Sequence, residues 1–190
     1  MRSVSRPFVL SLAAHPAHGP GPLRSVAVAG SLSNGRLDVT FCLRGHVAAV
    51  KLPANADIPC RRDGLWNETC CELFIAVDSG YLELNFSPSR DWAAYHFDGY
   101  RRGQAQLDGI EVQVEPLARP TDELRLHSQV RWLGNVDLLS PHVKINAAVI
   151  VEDDVGRTSY WACCHPAANP DFHHGGSFVS LDQAAGPPPG

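Results

Sequence analysis

Residues 37–43 read Leu-Asp-Val-Thr-Phe-Cys-Leu. Leu37, Val39, Phe41 and Leu43 alternate with Asp38, Thr40 and Cys42, and a period of two places the apolar side chains on one face of an extended chain. The same pattern returns where Leu82, Leu84 and Phe86 alternate with Tyr81, Glu83 and Asn85, and where Ile110, Val112 and Val114 alternate with Glu111, Gln113 and Glu115. Further strands are predicted at residues 7–12, 26–29, 47–52, 70–77, 92–97, 124–132, 143–151, 158–163 and 178–181. Asn34-Gly35, Asp78-Ser79-Gly80, Ser87-Pro88-Ser89, Asp98-Gly99 and residues 153–156 supply turn chemistry between them. No long stretch carries a helical stripe, so the chain reads as all-β, with two antiparallel sheets packed as a sandwich of the jelly-roll kind. One domain is expected over residues 1–183, followed by a flexible Pro/Gly-rich tail, residues 184–190. Residues 53–68 and 164–176 are the longest stretches without strand character, and loops of that length commonly carry function.

Composition narrows the function classes. Hydrophobic residues make up 44% of the 190 and charged residues 19%, enough apolar surface for a substantial core. The 16 Lys+Arg against 20 Asp+Glu leave a net charge of -4 with no basic cluster, which argues against a nucleic-acid partner. No apolar run reaches the roughly 20 residues of a membrane-spanning helix. Four of the six cysteines form the vicinal pairs Cys70/Cys71 and Cys163/Cys164, whose side chains diverge on a strand, so reduced thiols in a cytoplasmic protein are expected. The alternative is a secreted or periplasmic protein, since Arg2 and Arg6 precede the apolar stretch 8–14 in the manner of a weak signal peptide.

Three segments concentrate chemistry. Residues 65–77 set Trp66 in a loop and Glu72 on the strand after it; residues 81–97 supply Glu83, Asn85, Arg90, Trp92, Tyr95 and His96; residues 158–174 supply Tyr160, Trp161, His165, Asp171, His173 and His174. Aromatic faces beside carboxylate, amide and guanidinium groups suit a sugar, whose rings present C–H faces and whose hydroxyls need directional partners. Each feature also has an ordinary structural explanation: Trp132 continues the apolar face of Leu124, Leu126 and Val130, and Glu72 fits a solvated strand face. Cys163, Cys164, His165, His173 and His174 lack the paired spacing of a zinc module. The only methionine is Met1, which removes a Met/His haem ligation. There is no GxSxG elbow and no phosphate loop. Glu72 and Glu83 on paired strands could serve as a glycosidase pair, although paired carboxylates on a sheet are common.

The strings LWNETCCELFIA, LNFSPSRDWAAYHFDGYR, SYWACCHP and PDFHH together resemble the DOMON-like proteins of the family 9 carbohydrate-binding-module type, in the bacterial stand-alone branch, over roughly residues 8–181. The resemblance implies a β-sandwich in which two tryptophans clamp a terminal sugar and neighbouring strands bind its hydroxyls. It assigns the clamp to Trp66, six positions before Glu72, and to Trp161 on a late strand. It places Asn85 and Arg90 in the region of further polar contacts, and Trp92 as a packing residue. His173 and His174 are expected to line the pocket mouth or hold Asp171.

The leading expectation is therefore a non-catalytic protein whose partner is a saccharide ligand, read by Trp66, Glu72, Asn85, Arg90, Trp161 and His173. A single ring buries little area, so micromolar to millimolar affinity is expected. No cofactor is expected; calcium is open by analogy with the sugar-binding modules, and haem, for which only a pair of histidines would remain as ligands, is not expected. The alternatives are a glycan-processing enzyme using Glu72 and Glu83, and a sandwich without ligand that serves protein interaction.

Overall fold

A computed structural model describes residues 5–77, 80–134 and 136–184. The tail expected from residue 184 lies, from residue 185 on, outside the described residues, as do Asp78 and Ser79 of one expected turn. The strands are β1 (Ser5–Ala14), β2 (Leu23–Ser33), β3 (Arg36–Gly45), β4 (Cys70–Val77), β5 (Gly80–Phe86), β6 (Trp92–Phe97), β7 (Ala105–Gln106), β8 (Ile110–Val114), β9 (Glu123–Trp132), β10 (Lys144–Glu152), β11 (Thr158–Ala162) and β12 (Val179–Ser180). All their pairings are antiparallel, in the order β7-β6-β5-β4-β10-β11-β1-β2-β3-β9-β8, with β12 beside the start of β10.

This sheet folds over on itself at β1. Ser5 to Leu12 pair with β2, whereas Ala13 and Ala14 pair with β11, so one strand passes from the first layer (β8-β9-β3-β2-β1) into the second (β11-β10-β4-β5-β6-β7). The apolar stretch 8–14 is thus a strand, with Phe8, Leu10 and Leu12 buried. The result is the all-β, sandwich-like architecture that period-two patterning anticipates. Leu37, Val39, Phe41 and Leu43 of β3 face Leu73, Ile75, Leu82, Leu84 and Phe86 of the second layer across one apolar core. The rings of Phe41 and Phe86 lie 6.3 Å apart across it. Trp132 is buried in the same core, on the face of Leu124, Leu126 and Val130. Gly30 permits the closest approach in the first layer, since a Cβ there would lie 2.4 Å from the Asp38 carbonyl and 2.7 Å from the Phe8 ring.

Two expected elements differ. Residues 47–52 do not form a strand: Gly45, at φ 151°, turns the chain away from β9, and Val47–Ala49 form a single 3-10 turn, followed by one bridge between Val50 and Asp153. Trp161, expected on the ligand side, points into the core with 4% exposure. The register fixes that direction, because Trp161 pairs with Val149 and Val149 with Cys71, both core residues.

Truncating a buried tryptophan removes a large apolar volume that the surrounding strands cannot refill. Trp161→Ala is expected to lower unfolding free energy by about 3–5 kcal/mol in urea denaturation. A loss under about 0.5 kcal/mol would place the side chain at the surface instead.

Candidate functional site

Strands β4 and β5 are buried on both faces, although only one faces the first layer. Their other face carries Cys70, Glu72 and Phe74 from β4, and Tyr81, Glu83 and Asn85 from β5. Tyr95 and Phe97 of β6 and Asn146 of β10 flank them, completing a floor part apolar and part acidic. A second apolar cluster forms on this face, closed from above by Leu65 of a 3-10 turn (Leu65–Asn67) and by Phe172 of the connection after β11. We call residues 163–178 the strap. The Asn146 side-chain amide donates to the Phe172 carbonyl at 3.0 Å and so ties the strap to the floor.

The register sets Glu72 opposite Asn85 and Glu83 opposite both Phe74 and Tyr95. Glu72 and Glu83 are 3% and 5% exposed. Asn85, fully buried, donates from Nδ2 to Glu83 Oε1 at 2.8 Å, while its Oδ1 has no hydrogen-bond partner among the described residues. Burial pushes both carboxyls above the usual range, and for Glu72 the neighbouring Glu83 adds to the rise; Arg101 opposes it at both.

His173 sits over the floor, its ring 5.2 Å from those of Phe74 and Phe97. Its Nδ1 is 2.8 Å from the Tyr81 hydroxyl, which accepts from the Arg101 amide at 3.2 Å. Burial, reinforced by Arg101, pushes His173 down to about 4, so the ring is neutral at pH 7 and its 3.7 Å approach to Glu83 is not an ion pair. The strap is pinned at the edge by Asp171, which accepts from the Tyr100 hydroxyl at 2.6 Å and from the Arg101 guanidinium at 3.0 Å. Burial works against the Asp171 anion, but these two donors hold it below the usual carboxylate range.

The expected site residues divide accordingly. Glu72, Asn85 and His173 come together on the floor. Trp66 stands at its rim, 39% exposed, with its ring 6.1 Å from that of Tyr95 and inclined at 66°. Beside it lies a shallow depression of about 330 Å³ lined by Asp63, Trp66, Tyr95, Gln104, Ala105 and Gln106. The Tyr95 hydroxyl donates to Asp63 at 2.5 Å. Trp161 is on the opposite face of the second layer, so the clamp of two tryptophans does not form. Arg90 also lies apart, in the turn after β5: its Nε donates to the Val114 carbonyl at 3.4 Å, and it lines a separate depression with Pro53, Asp57 and Arg119. Trp92 packs against the core with the Arg61 guanidinium over its ring at 4.8 Å.

Sequence reading missed Tyr81, Tyr100, Arg101 and Asn146. Tyr81 shares the period-two face of Glu83 and Asn85, a legible signal; Tyr100 and Arg101 reach the strap only through the turn after β6.

The histidines and cysteines of the strap are scattered. His165 packs beside His15 with ring centres 4.8 Å apart, whereas His174 lies near Tyr100. Among the described residues, no group of three or more His, Cys, Asp or Glu is arranged to hold a metal ion. The Asp153 carboxylate, in the turn at residues 153–156, is taken by the Arg157 side chain and amide. Burial pushes the Cys70 and Cys71 thiols well up, which suits packing and not nucleophilic chemistry. Among the described residues no helix is long and apolar enough to cross a membrane. No protein-family model and no curated protein matches the chain.

Glu72 supplies a pH test. A carboxyl raised in the folded state contributes stability that is complete below its unfolded value, about 4.3, and lost as pH rises through the folded value. His173 acts in the opposite sense, its contribution being lost as pH falls from about 6.5 towards 4. Replacing Glu72 by Gln removes only the first effect. Glu72→Gln is expected to melt with wild type near pH 4 and above it by pH 8, by an amount equivalent to roughly 1–3 kcal/mol. A difference that does not change with pH would mean that Glu72 titrates in the folded protein as it does in the unfolded chain.

Proposed function

We propose that this protein is a non-catalytic carbohydrate-binding module that holds one sugar ring against Trp66. The observation that carries the reading is the exposed Trp66 standing over a depression whose other lining residues are Tyr95, Asp63, Ala105 and two glutamines. An indole offers a flat apolar face to pyranose C–H groups, and Asp63, Gln104 and Gln106 offer both acceptors and donors to its hydroxyls. About 330 Å³ is at the small end of ligand sites, which favours one ring over a chain. Trp66 thus acts with Tyr95 as a shelf, in place of a clamp with Trp161.

An enzyme acting through Glu72 and Glu83 draws less support. A glycosidase needs space between its carboxyls for the scissile bond and a water, and the strap occupies the space above this pair. Arg90, being elsewhere, is not assigned to the site.

Titration with mono- and oligosaccharides, followed by intrinsic tryptophan fluorescence, tests the reading. A saturable change with Kd between about 10 μM and 10 mM is expected, weakened at least about tenfold in Trp66→Ala, the equivalent of about 1.4 kcal/mol. Unchanged affinity in a folded Trp66→Ala protein would exclude the shelf.

A further inference from the structure

A second depression, about 550 Å³ in volume, is lined by residues that take no part in the Trp66 site. Three connections meet around it: residues 52–57, the turn between β5 and β6, and the segment between β8 and β9. Backbone groups hold them in place. The Ala56 amide donates to the Ser89 carbonyl at 3.0 Å, and Ala118 exchanges two hydrogen bonds with Arg125 at 3.0 and 2.9 Å. Pro53, Pro88, Pro116 and Leu117 supply apolar walls, stiffened because each proline fixes its own φ. The volume falls within the range of small-ligand sites.

The charged groups of this lining are Arg90, Arg119 and Asp57, two positive against one negative. Arg90 uses only its Nε, which donates to the Val114 carbonyl at 3.4 Å. The four N–H groups on its two terminal nitrogens have no partner among the described residues. The side chains of Arg119 and Asp57 also make no hydrogen bond or ion pair among the described residues, and do not pair with each other. A guanidinium keeps its charge throughout the pH range in which proteins are folded. The depression therefore presents unused donors and a surplus of one positive charge.

Arg90 is an unexpected residue for its place in the backbone. Ser87 and Asp91 close a three-residue hairpin loop, in which the Ser87 amide donates to the Asp91 carbonyl at 3.0 Å and the Arg90 amide to the Ser87 carbonyl at 2.9 Å. The buried Ser87 and Ser89 hydroxyls accept from the Ser89 and Asp91 amides at 3.1 and 3.3 Å and fix the loop further. Loops of this length end on a residue in the left-handed region, where glycine is the usual choice, and Arg90 holds that position at φ 81°. A glycine would satisfy the loop. What the arginine adds, against its backbone preference, is a guanidinium in the lining of the depression, and its one hydrogen bond there is long.

We infer that Arg90 and Arg119 form a binding site for a small organic carboxylate, separate from the Trp66 depression and independent of the sugar-binding reading. The parallel N–H groups of a guanidinium match the two oxygens of a carboxylate, and such charge-assisted bonds are stronger than neutral ones. The prolines and Leu117 suit an apolar body carrying that group. A surplus of one positive charge suits a monoanion, and Asp57 repels any second negative charge, so inorganic phosphate fits poorly on both counts. A neutral amide of the same shape keeps the apolar contacts and loses the charge-assisted bonds.

Calorimetric titration with benzoate, benzamide and inorganic phosphate tests the site. Benzoate is expected to bind with Kd between about 0.1 and 5 mM, at least about tenfold more tightly than benzamide or phosphate. Arg90→Gly suits the φ of 81°, so it is expected to melt no more than about 3 °C below wild type while weakening benzoate at least about tenfold. Arg119→Gln, at an exposed position, is expected to weaken benzoate at least about threefold. Equal binding of benzoate and benzamide would leave an apolar depression and overturn the anion site. Equal binding of phosphate would leave a basic patch and overturn the carboxylate preference. Benzoate binding that survives Arg90→Gly, on the Trp66 shelf or elsewhere, overturns the site, as does no benzoate binding up to about 20 mM. If Arg90→Gly melts lower than expected, Arg119→Gln decides alone, and unchanged benzoate affinity there overturns the site.

Discussion

The fold depends on one strand belonging to two layers. Hydrogen bonds from residues 5–12 of β1 to β2, and from Ala13 and Ala14 to β11, join the layers along a continuous backbone. Such pairing leaves no free strand edge where the layers meet, and it fixes which face of each turns inward. Phe8, Leu10 and Leu12 then define the inner side, and the alternation of every neighbouring strand has to agree with theirs.

With the inner face of the second layer satisfied, its outer face still carries Phe74, Tyr81, Tyr95 and Phe97. So much aromatic surface is unfavourable in water, and the 3-10 turn at Leu65 and the strap at Phe172 cover it. This cover creates the electrostatics of the site. Glu72 and Glu83 would be ordinary surface carboxylates on an open sheet; beneath the strap they lose solvation, and Glu83 makes ionisation of Glu72 harder still. The same burial keeps His173 neutral, so the contact between strap and floor is a matter of packing and hydrogen bonds, with the charged pin at Asp171 held at the edge.

The buried polar groups and the exposed aromatic stand on different kinds of element. Strand register holds Glu72, Glu83 and Asn85 within a lattice of backbone hydrogen bonds, a support that positions polar groups more closely than loops do. Trp66 and Asp63 sit instead on a connecting loop.

Much of this architecture was legible in the residue order, since the period of two is a property of the extended backbone. It marks β3, β5 and β8 directly, separates Glu72 from Cys71 and Leu73, and puts Tyr81, Glu83 and Asn85 on a common face. It also places Trp132 with Leu124, Leu126 and Val130. It failed at residues 47–52, where apolar composition suggests a strand but the turn at Gly45 removes the neighbour with which it would pair. Alternation relates residues within one strand; it is silent on which face a distant strand shares. That is why Trp66 and Trp161 could be matched by order along the chain and still lie on opposite sides of a layer. Only the pairing of β11 with β10, and of β10 with β4, carries the parity from Trp161 to Cys71 and sends the indole into the core. Likewise, residues 163–178 announced themselves as a long loop, but that they roof Glu72 and Glu83 was decided in three dimensions, by the apolar outer face that Phe172 and His173 come to cover.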